Sequence, residues 1–313
     1  MISFTACGSE LVTSSYSIFD SSYKYNLISS DYQSTINNGF FATDLCVSGP
    51  ENIGISQVES SSLCSAAGLF NLTQKEVLYA QNIYDQIYPA STTKIMTMLV
   101  VVENMDLNSM TVVSARAVDQ EKDASTIKLK EGDVISIKDL LYGLELQSGN
   151  DAAIALAEAC SGTVENFVEL MNIRAKEIGA TKTNFVNTNG LHDENHYSTV
   201  YDMYLILNEA LKNATFYEIF TSKSYSTTYQ RSTGEVVEAE WKSTNAYLTG
   251  KSTAPSSITV LGGKTGTTAA AGYCLVLYSK NDRGEDVISI VFNADGRSDL
   301  YYIMNQILSN FGE

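Results

Sequence analysis

The chain has 313 residues, of which 44% are hydrophobic and 18% charged, and its formal net charge is −16 at pH 7. Three prolines and 20 glycines exclude a collagen-like or low-complexity chain, so the composition is that of a globular protein. The acidic balance argues against nucleic-acid binding, which needs lysine and arginine to displace phosphate counterions.

Residues 1 to 57 are rich in serine interleaved with tyrosine and phenylalanine, which predicts a leader or linker ahead of a folded domain at 58 to 313. The sequence has no run of 18 apolar residues and predicts no membrane span. No complete signal peptide is visible, but the opening MISFTACGSE places a small residue before Cys7, as at the end of a bacterial lipoprotein signal. We therefore expect either a lipid anchor at Cys7 or an ordinary cysteine there.

Beyond the leader, the elements follow a strand, helix, strand order. Residues 68 to 82 alternate like strands on either side of Asn-Leu-Thr-Gln, which predicts a hairpin. The remaining predictions are helices at 91–105, 136–147, 151–160, 164–179 and 198–213, strands at 258–267, 273–280 and 286–294, and a helix at 297–311. Pairing the early strands with the late ones gives an α+β fold. It has one antiparallel sheet flanked by helices, with an inserted all-helical subdomain.

A serine and a lysine three positions apart could form a nucleophile and its base. The motif occurs at Ser21/Lys24, Ser91/Lys94 and Ser125/Lys128. The middle pair stands at the start of an apolar helix, behind Pro89, and helical residues three apart share one face. A lysine activates a serine only when it is neutral, and burial or a second cation lowers its pKa.

The segment LQSGNDAA lies between two predicted helices. Gly149 allows this segment to form a tight loop. Such a loop can point Ser148 and Asn150 into a cleft. Ser148 could relay a proton there, and Asn150 could hold a substrate amide.

The segment GGKTGTT ends an apolar strand and carries one lysine among small residues. Its glycines, at 262, 263 and 266, let another backbone lie close, such as an extended peptide at a sheet edge. Lys264 and Thr265 could bind a carboxylate.

The order and context of Ser-x-x-Lys, Ser-x-Asn and Lys-Thr-Gly resemble those of low-molecular-weight penicillin-binding proteins, the D-alanyl-D-alanine carboxypeptidase family of serine peptidases. Around the motifs, YPASTTKIMTML, LKEGDVISIKDLLYGLELQSGNDAAIALAE and TNFVNTNGLH also look like carboxypeptidase sequence. The resemblance covers about residues 64 to 311 and implies the β-lactamase/transpeptidase-like fold. Many members carry a further β-rich domain and an amphipathic C-terminal anchor, which we do not expect here.

The resemblance implies a reaction and residue roles. The terminal D-Ala of a peptidoglycan stem pentapeptide would be removed through an acyl-enzyme, without metal or cofactor, and β-lactams would acylate the same serine. Ser91 would be the acylated nucleophile and Lys94 its base, while Ser148 would assist proton transfer and Asn150 would hold the substrate.

The third motif is implied to bind the end of the substrate. Lys264 would contribute charge, Thr265 would contact the terminal carboxylate and Gly266 would permit close approach. The N–H groups of Ser91 and Thr267 would form the oxyanion hole. Such an enzyme would act outside the cytoplasm, in the cell envelope, as a secreted or membrane-anchored protein.

Three alternatives are weighed against this interpretation. A β-lactamase shares the fold, but the segment GATKTNFVNTNGLHDENH offers Asp193 and Glu194 without the Glu-x-x-Leu-Asn arrangement. A metal hydrolase could use His192 and His196, although the surrounding residues are typical of a loop. The sequence also leaves open a non-catalytic module that senses β-lactams or binds the cell wall.

Overall fold

The protein is described by a computed structural model over residues 42–59 and 61–312. Most of the predicted leader, with Cys7 and the pair Ser21/Lys24, lies outside the described residues. The chain divides into two compact units, Met1–Asp44 and Leu45–Glu313, and every element named below belongs to the second.

The described residues contain nine strands and eight α-helices, numbered here in chain order. The strands are β1 (Ala66–Asn71), β2 (Glu76–Gln81), β3 (Met110–Val112), β4 (Val134–Ser136), β5 (Ser224–Gln230), β6 (Val236–Lys242), β7 (Ile258–Thr268), β8 (Gly272–Asn281) and β9 (Asp286–Ala294). The helices are α1 (Lys94–Asn104), α2 (Ala115–Val118), α3 (Ile137–Leu146), α4 (Asn150–Ser161), α5 (Val164–Ile178), α6 (Val200–Ala210), α7 (Ala214–Phe220) and α8 (Arg297–Phe311).

The main sheet joins the two ends of the domain. Its five strands are antiparallel in the order β2-β1-β9-β8-β7, and β1 pairs with β9 so that Ala66 lies opposite Phe292. The predicted pairing of early with late strands is therefore confirmed, as is the α+β fold class. Strand β7 lies at one edge of this sheet.

Successive residues of a strand point to opposite faces of a sheet. In the main sheet, both faces are covered by apolar clusters. On the helical side, Phe70 stacks on Tyr204 of α6 with ring centroids 4.2 Å apart. On the other side, Leu69 packs with Ile303 and Ile307 of α8. These two apolar clusters hold the sheet between the helical block and the last helix.

Helix α1 runs through the centre of the helical block. Its residues from Lys94 to Val101 are all buried, and it contacts α3, α4, α5, α6 and α7. A helix that is apolar on every side needs neighbours on every side, and these five helices provide them. The prediction of a buried helix behind Ser91 is confirmed, with its α-helical part starting at Lys94.

The described residues also contain a second sheet, whereas the sequence predicted one. Its four strands have the order β3-β4-β5-β6. Strands β5 and β6 are rich in polar residues and mostly alternate between exposed and half-buried positions, so they form no apolar run. Strands β3 and β4 have three residues each, and such short strands are stabilised by pairing rather than by local preference.

The helix predicted at 198–213 is shorter, at Val200–Ala210, and a separate helix, α7, follows the predicted range. Helix α6 ends at Ala210, and the Asn213 side chain accepts hydrogen bonds from the N–H groups of Thr215 and Phe216 at the start of α7. Asn213 is thus an N-cap, which satisfies backbone donors that no helical carbonyl can reach. Helix α5 ends as predicted, at Gly179 in the left-handed conformation.

Residues ahead of position 58 pack on the domain. The N–H of Cys46 donates to the Tyr204 hydroxyl at 2.8 Å, and Ile53 exchanges backbone hydrogen bonds with Ala80 of β2. These contacts attach the chain from Cys46 onward to the main unit. The division into a leader and a catalytic domain at residue 57 stays a prediction.

None of the helices within residues 42–59 and 61–312 combines the length and the apolar character needed to cross a bilayer.

We expect Phe70→Ala to lower the free energy of unfolding by about 3–5 kcal/mol, because it leaves a cavity between β1 and α6. Tyr302→Ala is the matched control, since Tyr302 lies 52% exposed on α8 and its loss opens no cavity. Urea denaturation of both variants measures the difference. Equal losses would contradict the position of Phe70 in the core.

Candidate active site

Ser91 lies in a 3₁₀ turn, Ala90–Thr93, that leads directly into α1. Pro89 precedes the turn, and its carbonyl accepts hydrogen bonds from the N–H of Thr92 at 3.2 Å and from the Thr92 hydroxyl at 2.7 Å. Ala90 has a φ of +47°. This left-handed conformation is energetically unfavourable for any residue other than glycine. The turn therefore holds Ser91 at the start of a rigid, buried helix.

The side chain of Lys94 reaches back from α1 to Ser91. Its Nζ lies 3.0 Å from Ser91 Oγ, and it donates to Asn150 Oδ1 at 2.8 Å and to the Asn189 carbonyl at 2.6 Å. A neutral amine has two hydrogens, which these two oxygen acceptors use. The remaining lone pair then faces the Ser91 hydroxyl, as a general base requires.

The surroundings of Lys94 favour this neutral form. The side chain is fully buried, and burial together with the nearby charge of Lys264 holds the pKa of the Lys94 ammonium well below its usual range. Asp151 and Glu145 act in the opposite direction, but more weakly. The Lys94 amine thus lies beside the Ser91 hydroxyl, with its pKa lowered in the direction that a base requires.

The Ser148-Gly149-Asn150 loop joins α3 to α4 and supplies two polar side chains. Ser148 has a φ of +57°, and the Asn150 N–H donates to the Ser125 carbonyl at 2.8 Å. The Asn150 side chain accepts from Lys94, while Ser148 Oγ accepts from Lys264 at 2.9 Å. The loop therefore contacts both lysines, through Asn150 at Lys94 and through Ser148 at Lys264.

Strand β7 brings the third motif against Ser91. Lys264 is fully buried and also donates to the Thr265 carbonyl at 3.0 Å, and the hydroxyls of Thr265 and Thr244 lie 2.7 Å apart. At Gly266 a Cβ atom would lie 2.9 Å from the Ser91 nitrogen, closer than real Cβ atoms approach. Glycine at 266 thus allows β7 to lie against the serine turn.

Gly262 serves a different contact from the predicted one. A Cβ atom there would lie 2.6 Å from the Phe220 carbonyl oxygen, so the backbone that approaches is the end of α7. The close approach predicted from the glycines is present, but at this position the chain itself occupies the space.

Sequence analysis assigned no role to Asn189 or Gly190, yet these residues of the loop between α5 and α6 border Lys94 and the Ser91 turn. The Asn189 carbonyl accepts from Lys94, and Gly190 has a φ of +85°. A Cβ atom on Gly190 would overlap the Ala90 carbonyl. The signal was the run Asn187-Thr188-Asn189-Gly190, since Asn-Gly marks a tight turn, but no pattern shows which helix such a turn meets.

The two histidines of HDENH occupy different environments. His196 is buried: its Nδ1 accepts from the Val186 N–H at 3.1 Å, and its Nε2 lies 2.7 Å from the Thr93 hydroxyl, to which it donates. Burial lowers the pKa of His196 to about 4. His192 is exposed, edge-on to Tyr88. Both nitrogens of His196 are thus committed to protein partners, and within the described residues no group of three or more His, Cys, Asp or Glu could hold a metal ion.

Two cavities meet at Ser91. One, of about 440 Å³, is lined by Glu121, Asp123 and His192 together with Asn150 and Thr267. Asp193 and Glu194 of the candidate β-lactamase segment are both exposed at the surface. No acidic residue of that segment lines this cavity or the second one.

The second cavity, of about 180 Å³, is lined by Ser148, Thr244, Thr265 and Arg297. Arg297 is the first residue of α8, and sequence analysis missed it. It follows the third motif by more than 30 residues (positions 264 and 297), and no local pattern marks it. The fold brings its cationic side chain to the same end of the cleft as Thr265.

The pair Ser125/Lys128 lacks the features of Ser91/Lys94. Ser125 borders the cleft, where its carbonyl accepts from Asn150, but Lys128 is exposed with a φ of +65°. Lys128 therefore lacks the burial that distinguishes Lys94.

Residues 57–296 match the model of the D-alanyl-D-alanine carboxypeptidase family, peptidase family S11. The chain belongs to this family. Among curated proteins, it is 38% identical to the D-alanyl-D-alanine carboxypeptidase DacF of Bacillus subtilis over 223 residues, which are 70% of this chain and 54% of DacF. It is 34% identical to DacC of Escherichia coli over 247 residues, which are 76% of this chain and 58% of DacC.

Comparison with solved structures leads to the same family. The Streptomyces K15 DD-transpeptidase superposes with a TM-score of 0.71 at 31% identity, over 79% of this chain and 97% of that one. A D-alanyl-D-alanine carboxypeptidase from Mycobacterium tuberculosis gives a TM-score of 0.69 at 26% identity, over 80% and 90% of the two chains. The chain therefore spans nearly all of these structures, but only a little over half the length of DacF and DacC.

We expect Gly190→Ala to slow the reaction of Ser91 with a fluorescent penicillin by about a hundredfold, because the added methyl group displaces the Ala90–Ser91 peptide. Gly234→Ala is the matched control. Gly234 has a φ of +86° but no atom within 4 Å of an added Cβ, so both variants share the backbone strain and only one has the clash. Equal labelling rates in the two variants would contradict this account.

Proposed function

We propose that this protein is a serine-type D-alanyl-D-alanine carboxypeptidase that removes the terminal D-Ala from peptidoglycan stem pentapeptides. The observation that carries the proposal is the position of the buried Lys94 amine. Its two hydrogens have acceptors on Asn150 and Asn189, and its lone pair faces Ser91 Oγ at 3.0 Å.

Acylation begins at Ser91. Its Oγ attacks the carbonyl carbon of the bond between the two D-Ala residues while its proton passes to Lys94 Nζ. The negative charge that develops on the carbonyl oxygen is stabilised by the N–H groups of Ser91 and Thr267. Gly266 supports this arrangement, because any larger residue would push β7 away from the Ser91 nitrogen.

Departure of D-Ala requires a proton on its nitrogen. Ser148 is suited to deliver it, since its hydroxyl is held by Lys264 and lies on the loop that also binds Lys94 through Asn150. Asn150 has a second role in holding the amide of the substrate. Because Ser148 accepts from Lys264, its own hydrogen is available for transfer.

The carboxylate of the departing D-Ala belongs at the end of the cleft lined by Thr265, Thr244 and Arg297. The Thr265 hydroxyl can donate to it, and the charges of Lys264 and Arg297 attract it. Such a site favours peptides that end in a free carboxylate, as a carboxypeptidase requires.

Deacylation regenerates the enzyme. Once D-Ala has left, the proton that Lys94 took from Ser91 restores the Ser148 hydroxyl, and Lys94 is neutral again. A water molecule then attacks the ester carbonyl and gives a proton to Lys94. Lys94 returns this proton to Ser91 Oγ as the ester bond breaks, and the shortened peptide is released. A β-lactam places its strained amide at the same position and forms the same ester with Ser91, so it acts as a covalent inhibitor.

We place the activity outside the cytoplasm, in the cell envelope, because its peptidoglycan substrate lies there. The enzyme reaches it either as a secreted protein or as one anchored through a lipid at Cys7. This second route rests on the opening sequence alone.

Ser91→Ala is expected to abolish both acylation by penicillin and release of D-alanine from a Lys-D-Ala-D-Ala peptide. Within the described part of the chain, Ser91 supplies the hydroxyl that is hydrogen-bonded to Lys94 Nζ. Intact mass after penicillin treatment and a D-alanine assay measure the two losses. Ser226→Ala is the control, since Ser226 is exposed on β5 and lines neither cavity at Ser91.

The same assays separate the alternatives in the wild-type protein. Many turnovers of D-alanine release support the carboxypeptidase. Steady penicillin hydrolysis without D-alanine release would indicate a β-lactamase. A single acylation without turnover would indicate a sensing module.

Lys94→Arg is expected to reduce the rate of penicillin acylation by at least about a hundredfold, because arginine stays protonated and cannot accept the Ser91 proton. Lys128→Arg, at the exposed lysine of the other Ser-x-x-Lys pair, should keep the wild-type rate. Stopped-flow measurement of acylation compares them. A near-normal rate in Lys94→Arg would place the base elsewhere.

A further inference from the structure

The larger cavity at Ser91 has an acidic wall that the proposed mechanism does not use. Glu121 and Asp123, here called the acidic pair, line this cavity and belong to the segment between α2 and β4. Within the described residues, no lysine or arginine lines the cavity, and His192 is its one remaining titratable group. Lys122 lies between the two acids in sequence and is exposed, but it is not part of the lining. This wall of the cleft therefore carries negative charge.

The chain directly after the acidic pair is fixed to the α3–α4 loop and to α4. The Asn150 N–H donates to the Ser125 carbonyl at 2.8 Å. The carboxylate of Asp151 accepts from the N–H groups of Ile127 and Leu129 at 3.0 to 3.1 Å. These bonds hold the acidic pair in its place beside the cavity.

The Asn150 side chain has a donor that is free for a ligand in the same cavity. Asn150 lines the cavity and is only 4% exposed, and its Oδ1 accepts from Lys94. None of the described residues accepts a hydrogen bond from its Nδ2, although buried amide groups ordinarily have partners on both ends. A carbonyl oxygen of a bound peptide would satisfy this nitrogen. Asn150 thus points to a peptide in the larger cavity.

The two cavities divide the substrate at the scissile bond. The smaller one, with Thr265 and Arg297, takes the departing D-Ala and its carboxylate. Ser91 and Thr267 line both cavities, so the carbonyl under attack lies where the cavities meet. The residues on the other side of this carbonyl, the fourth and third of the stem peptide, therefore lie in the larger cavity, on the side of the acidic pair.

We propose that the acidic pair binds a free amino group on the side chain of the third stem residue, so that the enzyme selects stem peptides in which this amine is not acylated. The inference rests on the proposed function, because it takes the stem peptide as the substrate. A protonated amine forms ion pairs with both carboxylates. Acylation of the amine, as in a cross-link to a neighbouring stem, removes the positive charge. The third residue is accordingly a diamino acid with a free side-chain amine.

Two peptides test this selection. One is α-acetylated Lys-D-Ala-D-Ala with a free side-chain amine, and the other has that amine acetylated as well. We expect the wild-type protein to release D-alanine from the first with a kcat/KM about tenfold higher, since each exposed carboxylate contributes only a few-fold. The preference should lie in KM and should fall as salt is raised, because salt screens exposed charges.

The double variant Glu121→Gln with Asp123→Asn removes both charges and keeps the size of both side chains. We expect its kcat/KM values for the two peptides to agree within about twofold. Glu235→Gln with Asp282→Asn is the matched control. Both residues are exposed, neither lines a cavity at Ser91, and the net charge changes by the same amount. The control should retain the wild-type preference.

Equal kcat/KM values for the two peptides in the wild-type protein overturn the inference and leave the proposed function standing. A structural role of the acidic pair would lower the activity on both peptides together and keep their ratio, which also contradicts the inference. Covalent labelling by penicillin shows whether Ser91 stays reactive in the double variant. If labelling is lost, Glu121→Lys must lower the preference on its own. Absence of D-alanine release from both peptides in the wild type would refute the proposed function and this inference with it.

Discussion

The hydrogen bonds at Lys94 Nζ are the interaction on which the arrangement of the site depends. They join three parts of the chain that are distant in sequence: the serine turn before α1, the loop between α3 and α4, and the loop before α6. Strand β7 is connected to them through Lys264 and Ser148. A shift of any one of these segments changes which atom the Lys94 lone pair faces.

This arrangement costs stability, which the surrounding core must supply. Ala90 and Ser148 have positive φ angles, each costing on the order of 1–3 kcal/mol, and two lysines are buried without hydrogen-bonded carboxylates. Helix α1 offsets this cost because it is enclosed by five other helices. The strained residues lie where rigid elements meet, so the strain cannot be relieved by local movement.

Close backbone approach is the second constraint on the cleft. Gly190 and Gly266 both lie against the Ser91 turn, and a methyl group at either position would overlap or crowd the Ala90–Ser91 peptide. The loop before α6 and strand β7 can lie this close to the Ser91 turn because Gly190 and Gly266 have no side chains. The hydroxyls of Thr244 and Thr265 and the cationic side chain of Arg297 line one end of the cleft.

The sequence by itself determined the main-sheet strands, the buried helix behind Ser91 and the three motifs, because apolar periodicity and motif spacing are local properties. It did not reveal strands β5 and β6, whose polar pattern becomes a sheet only through long-range pairing. The positions of Asn189 and Arg297 were likewise decided by the tertiary structure. Asn189 contacts Lys94, and Arg297 lines the same cavity as Thr265. Residues that far apart in the chain leave no joint pattern until the fold brings them together.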